Sequence, residues 1–211
     1  MIGPGFNTGA FGKLPCAGDF VRRRLRADTI TELDLWLQVR LADDPGGEPP
    51  DAATPCRFAA APGVFGVMAV MGLIWPSRDS VGRSFPFVIA VEAGPRTAHV
   101  YDLDLDWFDL AEVALRRSID FASLDDLDRA LSDLQASVGL GAINQRIEFP
   151  APASLWWAPT DIHDALALAG QPDAEAFAAL TSSWREPPEA DPVTTPTPTT
   201  PLEAGSKGAP I

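Results

Sequence analysis

Two strongly apolar runs, residues 64–74 and 85–91, constrain this chain more than any other feature. Both are apolar without alternation, which is typical of strands at the centre of a sheet that is covered on both faces. A polar insert with the sequence SRDSVGRS, residues 77–84, separates them and is rich in turn-forming residues. The pattern predicts a buried sheet with a tight polar bend between two of its strands.

The rest of the chain alternates between strand and helix patterns. Further strands are predicted at residues 6–14, 56–60 and 154–158. Helices are predicted where apolar residues recur at three- and four-residue spacing or where a capping residue opens a segment. They comprise a helix through Leu33, Trp36 and Leu37 that Thr29 or Thr31 caps, and helices over residues 106–121, 123–134 and 173–180. This order predicts an α/β layered sandwich with a mixed β-sheet flanked by helices.

The C-terminal segment, residues 187–211, differs from everything before it. It is rich in proline and threonine and has no apolar periodicity. Such a segment cannot bury enough apolar surface to offset its chain entropy, so we expect a disordered tail. Residues 1–186 are then expected to form one domain, because compact domains most often contain about 100–200 residues.

The formal charge of −13 argues against nucleic acid or an anionic membrane surface as a partner. Both of those partners need a basic surface on the protein. The longest apolar run, residues 64–75, is too short to cross a bilayer, and the start of the chain lacks the pattern of a signal peptide. We therefore expect a cytoplasmic protein without direct membrane insertion.

Motifs for catalysis and cofactor binding are incomplete. Gly12-Lys13 resembles the end of a phosphate-binding loop, but Asn7 replaces the earlier glycine and Leu14 replaces the final Ser/Thr. Neither a nucleophile elbow nor a cluster of metal ligands is evident, so no cofactor and no metal site is predicted. A hydrolase or phosphatase-like enzyme that uses Ser77 or Asp79 is the alternative to a binding protein.

The polar insert has a physical explanation that requires no catalysis. Gly82 can adopt a positive φ angle, and Arg83 offers several N–H donors to a carboxylate. Asp79 and Asp19 are the natural acceptors. Two interpretations stay open: a loop that satisfies its own hydrogen bonds, or a docking surface for a partner.

Four arginines near the N-terminus stand out in an acidic chain, namely Arg22, Arg23, Arg24 and Arg26. Charged runs usually form a solvated face. Arginine is also favoured at interfaces, so a contact with an acidic partner is the competing hypothesis.

The neighbouring tryptophans Trp156 and Trp157 lie in a predicted strand. Successive side chains of a strand point to opposite faces, so the two indoles must separate. We expect Trp36, Trp156 and Trp157 to be core or semi-buried anchors, and whichever of the pair points outward is a candidate contact for a partner.

Several motifs together resemble one known family. They are the segment from Phe11 to Arg23, Trp36-Leu37-Gln38, the strand from Phe58 to Ala61, the insert with its flanks from Trp75 to Phe87, and Ser154-Leu155-Trp156-Trp157. Their order along the chain is similar to that of the TagF family, also called ImpM, which is associated with bacterial type VI secretion.

The resemblance implies an α/β sandwich without catalytic activity of its own. It also implies a cytoplasmic, post-translational repressor of the secretion apparatus that works by protein–protein binding. The implied partner is the forkhead-associated scaffold protein or an inner-membrane subunit, and a structural accessory subunit is a further alternative. The residues expected to contact the partner come from both signature segments: Gly18, Asp19, Arg22, Arg23, Ser77, Asp79, Gly82 and Arg83.

Overall fold

The computed structural model describes residues 6–42, 53–93, 100–103, 105–138, 145–148, 153–158 and 162–184. The expected C-terminal tail, residues 187–211, lies outside the described residues, as does the expected domain end at residue 186. The strands are β1 (Phe6–Gly12), β2 (Val21–Arg23), β3 (Cys56–Ala60), β4 (Ala69–Trp75), β5 (Phe87–Ala93), β6 (Val100–Leu103), β7 (Gln145–Glu148), β8 (Ser154–Trp157) and β9 (Leu166–Leu168). The helices are α1 (Ala27–Leu41), α2 (Leu105–Arg117), α3 (Leu124–Ser137) and α4 (Ala174–Leu180). None of the helices in the described ranges is long and apolar enough to cross a membrane.

Seven strands form the main sheet, in the order β2-β1-β5-β4-β3-β8-β9, and β6 pairs with β7 separately. The predicted α/β class is confirmed. The sheet, however, is antiparallel and not mixed, because every strand pairing in the described residues is antiparallel. The reason is connectivity. The central strands β3, β4 and β5 follow each other through short connections, which reverse the chain, whereas parallel neighbours need a long crossover.

The paired tryptophans of β8 show how the sheet is covered. Trp156 lies 5.3 Å from the Trp36 ring of α1, whereas Trp157 lies 5.0 Å from the Phe108 ring of α2. The two indoles separate as predicted, and both are buried, as is Trp36, which confirms that these tryptophans are core anchors. Neither indole of the pair is therefore a surface contact for a partner. Helices cover both faces of the sheet: α1 and α4 pack on one face, and α2 and α3 pack on the other.

The predicted strand over residues 64–74 is shorter than expected. β4 begins only at Ala69, because Gly63 and Gly66 adopt positive φ angles of 93° and 102° that interrupt an extended backbone. Val64 and Phe65 are nevertheless buried. Their apolar character therefore reflects packing of a turn into the core.

Helix α1 begins differently from the prediction. Arg26 occupies the N-cap position and its side chain makes no capping bond, while Thr29 lies buried inside the first turn. The buried carboxylate of Glu92 on β5 accepts the Arg26 backbone N–H at 2.9 Å instead. The expected caps Thr29 and Thr31 are wrong because a residue 66 positions away in sequence supplies the acceptor. Asp173 caps α4 as predicted, accepting the Ala176 N–H.

A buried arginine joins α2 to the sheet. The Arg57 Nη2 atom of β3 lies 2.7 Å from Asp109 and 2.9 Å from Glu112, and the Glu112 carboxylate also accepts from Arg116. The guanidinium of Arg116 lies 4.8 Å from the Trp75 ring centroid at the end of β4. Because Trp75 leads directly into residues 76–86, this network fixes α2 beside the strand that carries the polar insert.

Two leucines of α1 provide a matched test of the layered core. Leu37→Ala should lower the free energy of unfolding by about 2–5 kcal/mol, because Leu37 is fully buried between helix and sheet. Leu35→Ala should change it by about 0.5 kcal/mol or less, because Leu35 is 56% exposed on the outer side of the same helix. Urea denaturation measures both. Equal losses for the two variants would contradict the assignment of the buried face.

Candidate functional site

The polar insert forms a compact bend between β4 and β5. Residues Arg78 and Ser84 form an isolated antiparallel bridge, and the Phe85 N–H donates to the Ser77 carbonyl at 3.0 Å. Nearer the tip, the Asp79 N–H donates to the Arg83 carbonyl at 3.1 Å. Gly82 has a φ of +85°, as predicted for a turn glycine. Residues 76–86 are called the bend from here on.

The carboxylate of Asp79 organises the bend. Its Oδ1 atom accepts the backbone N–H groups of Val81 and Arg83, at 3.1 and 2.9 Å. Its Oδ2 atom accepts Arg83 Nε at 2.7 Å and lies 3.2 Å from Lys13 Nζ. The Asp79 side chain is fully buried, and a buried charge needs this many partners. One side chain thus fixes both the backbone and the charge of the bend.

The second signature segment is tied to the same cluster. Arg83 Nη2 donates to the Gly18 carbonyl at 2.6 Å, and the Ser80 N–H donates to the Ala17 carbonyl at 2.9 Å. Lys13, which supplies the second cation, is itself buried and lies 5.3 Å from the Phe20 ring centroid. Gly18 and Arg83 are 65 positions apart in sequence, and their contact joins the two motifs into one site.

The protonation of Asp79 follows from these contacts. Burial alone raises the pKa of this carboxyl group. Hydrogen bonds from the Arg83 backbone and guanidinium, from Lys13 and from the Val81 backbone outweigh it and hold the pKa of Asp79 well below its usual range. Asp79 is therefore ionised at neutral pH and is a weak base. All its oxygen positions are occupied, so it is poorly placed to act as a nucleophile or a metal ligand.

The predicted contact residues of the two signature segments divide into two groups by exposure. Gly18, Asp19, Gly82 and Arg83 are exposed, whereas Ser77 and Asp79 are buried and can influence a partner only through their neighbours. Asp19 does not accept from Arg83; its carboxylate accepts the adjacent Phe20 N–H at 2.7 Å. The expectation that Asp19 pairs with Arg83 is therefore wrong, since the Gly18 carbonyl lies in that position.

The arginines that follow alternate across the edge strand β2. The guanidinium of Arg22 lies 4.0 Å from Asp34 of α1, whereas that of Arg23 lies 3.5 Å from Asp128 of α3. Arg24, with a φ of +61°, reaches Ser132 Oγ of α3 at 2.9 Å. Arg22 and Arg23 thus lie on opposite sides of the sheet edge, each beside an acidic residue.

Lys13 is the site residue that the sequence reasoning missed. Its place after Gly12 in the first signature segment is the signal that the sequence offers, and a Gly-Lys pair by itself indicates phosphate binding. In the fold, Gly12 has a φ of +127°, and a Cβ atom there would overlap the Pro86 carbonyl. This close approach brings Lys13 beneath the bend. Within the described ranges, no cluster of His, Cys, Asp and Glu side chains has a geometry that could hold a metal ion.

Comparison with known proteins places the chain among proteins associated with secretion. Residues 9–134 match the model of the TagF N-terminal domain family, described as type VI secretion system-associated. The fold is similar to the crystal structure of PA0076 from Pseudomonas aeruginosa PAO1, with a TM-score of 0.63 and 26% sequence identity. That similarity covers 95% of this chain and 100% of the PA0076 chain. Among curated proteins, none matches significantly.

The charge of Asp79 can be tested with an isosteric change. Asp79→Asn should lower the stability at pH 7, because Lys13 and the Arg83 guanidinium lose the anion that neutralises them. The folded-state pKa lies below the unfolded one, so the stabilisation by Asp79 is present above the ordinary carboxyl pKa and is lost as the pH falls below about 5. The difference in the free energy of unfolding between wild type and Asp79→Asn should therefore become smaller as the pH is lowered.

Urea denaturation of both proteins from neutral to acidic pH measures this difference. Asp19→Asn is the control, because within the described part of the chain that exposed carboxylate accepts from its neighbour's backbone alone, and its replacement should change the midpoint little. If the Asp79→Asn midpoint equals that of wild type at pH 7, the buried ion cluster does not stabilise the bend.

Proposed function

The chain belongs to the family of TagF N-terminal domains, which is associated with type VI secretion, and we propose that it is a non-enzymatic regulator of that apparatus. In this proposal it represses secretion from the cytoplasm, after translation, by binding another protein. No bond is made or broken by the regulator itself. The bend and the adjoining residues Gly18 and Asp19 form the contact surface.

One observation carries the proposal: the bend is rigidly supported from below and exposed at its tip. The Asp79 carboxylate lies buried under the tip, while Val81 is 69% exposed and the Arg83 side chain is 58% exposed. Arginine is enriched among the residues that dominate binding, and Asp79 and the Gly18 carbonyl already hold the Arg83 guanidinium, so its side chain loses little freedom when a partner binds. The exposed Val81 beside it adds apolar area that a partner can bury. A preorganised loop on a sheet is a common place for recognition.

The saturation of Asp79 favours binding over the alternative of hydrolysis at this site. A general acid or base needs a pKa near the working pH, and a carboxylate nucleophile needs an oxygen that is free to approach the substrate. Asp79 instead has four donors within 3.2 Å and a lowered pKa. Ser77, at the start of the bend, is buried. Both residues are better suited to holding the loop than to attacking a substrate.

The partner that we propose is the forkhead-associated scaffold protein of the apparatus or one of its inner-membrane subunits. Arg83 and Asp19 give the contact surface one exposed cation and one exposed anion, so its charge is mixed. Such a surface selects a partner by the pattern of charges and not by total charge. This agrees with a specific protein partner for a chain of charge −13.

Two exposed valines provide the test: Val67, which precedes β4, and Val81, which follows β4 in the bend. Val81→Lys, at the tip of the bend, should abolish repression and raise effector secretion to the level of a strain that lacks the protein, because a long solvated cation replaces the apolar contact. Val67→Lys is the matched control, since Val67 is 62% exposed but precedes β4 at the other end of the sheet. It should repress like wild type.

Secretion is measured by immunoblotting of culture supernatants, and circular dichroism verifies that both variants fold. Binding of each purified variant to the scaffold protein and to the inner-membrane subunits identifies the partner. Full repression by Val81→Lys, or an equal loss with Val67→Lys, would contradict the bend as the contact surface.

A further inference from the structure

A groove runs between α2 and α3, the helices on the face of the sheet opposite α1. None of the residues that line it belongs to the bend. The groove has a volume of about 590 Å³. Its floor is apolar, with Leu110, Val113 and Ala114 from α2 and Ala130 and Leu134 from α3. Leu110 is 50% exposed and Val113 is 54% exposed, although residues at these positions of an amphipathic helix are usually covered.

The exposed residues of α2 form one line along the helix. Leu110, Val113 and Arg117 follow each other at three- and four-residue spacing, which places them on one side. The sheet-facing residues of α2, Trp107, Phe108, Ala111 and Leu115, are buried separately. Helix α2 therefore has, besides its buried face, a second stripe on which the apolar residues Leu110 and Val113 are exposed.

Charges at the groove have a defined polarity. Arg117 is the last residue of α2 and lies at the end where residues 118–123 connect the helices, whereas Asp133 lies beyond the middle of α3, toward the open end of the groove. Among the described residues, neither has an ion-pair partner. Asp126 and Arg129 also line the groove but neutralise each other at 3.0 Å. Arg117 thus lies at one end of the groove, with Asp120 on the turn beyond it, and Asp133 lies toward the other end.

We propose that this groove binds the same groove of a second copy of the chain. A two-fold axis that crosses the groove near Ala114 and Ala130, at right angles to the helices, would reverse the second copy, so that each end of one groove meets the opposite end of the other. Arg117 of each copy then meets Asp133 of the other. The alanines in the middle let the helices approach closely, and the exposed Leu110 of one copy covers Phe121 at the connecting end of the other.

A second copy explains both ends of the groove at once. A helix from an unrelated protein would have to present an anion and a cation in the matching order by coincidence, whereas symmetry supplies both. Asp120 also lines the groove at the Arg117 end, but within the described residues it forms no ion pair with Arg117, which leaves that guanidinium available to Asp133 of a second copy. The helices have 13 and 14 residues, so the face is about 20 Å long and association should be reversible and depend on protein concentration.

A charge swap tests the proposal. Sedimentation of the full chain at low salt, from micromolar to millimolar concentration, should show a monomer–dimer equilibrium for wild type. Arg117→Asp and Asp133→Arg should each weaken the dimer by about tenfold or more, because each places like charges opposite one another. The double variant should restore the wild-type constant, since the two charges are exchanged and pair again.

Asp125→Arg is the control, because Asp125 is an exposed residue of α3 outside the groove; it should leave the dimer constant unchanged. All changed side chains are exposed, and circular dichroism verifies the fold of each variant. A wild-type chain that stays monomeric at every concentration would overturn the proposal, as would a double variant no better than the single ones. Neither result would bear on the proposed role of the bend, which is measured by secretion.

Discussion

The interaction on which the site depends is the burial of one carboxylate between two cations. Removing a charge from water is unfavourable by itself, and Asp79 is stable in its buried position only because Lys13, Arg83 and two backbone N–H groups surround it. The same contacts determine the path of the chain, since both N–H groups belong to the bend. The cation from Lys13 also requires the first signature segment to lie beneath the second. A single electrostatic requirement therefore explains why two distant motifs occur together in one sequence.

This requirement explains how the bend can be exposed and still have one shape. Exposed loops usually exchange among conformations, and a binding partner must then order them at an entropic cost. Here the ordering is done by a group that a partner never touches. The arrangement separates two tasks: buried Asp79 and Lys13 fix the conformation, while the tip with Val81 and Arg83 stays accessible. A regulator that works by occupying another protein's surface benefits from this separation, because tip residues can change without loss of the fold.

Much of the fold was predictable, and the failures have local causes. The central strands, the first helix and the Asp173 cap follow from apolar spacing and capping chemistry. The start of α1 was not predictable, because Glu92, which accepts the N–H of the N-cap residue Arg26, comes from a strand that no local sequence pattern connects to the helix. β2 and β9, with three residues each, are too short to show periodicity. In the site, the pairing of Arg83 with Asp79 and the turn conformation of Gly82 were predictable from donor and turn chemistry, whereas the contact of Lys13 with Asp79 was not, because only the tertiary fold brings the two together.

Amide hydrogen exchange of the bend, measured residue by residue by NMR, tests the central claim most directly. The backbone N–H groups of Val81 and Arg83 lie in an exposed tip but donate to the buried Asp79 carboxylate. If that carboxylate fixes the bend, both amides should exchange far more slowly than in an unstructured peptide of the same sequence. Exchange at the rate of the unstructured peptide would contradict a preformed bend and with it a binding surface that exists before the partner arrives.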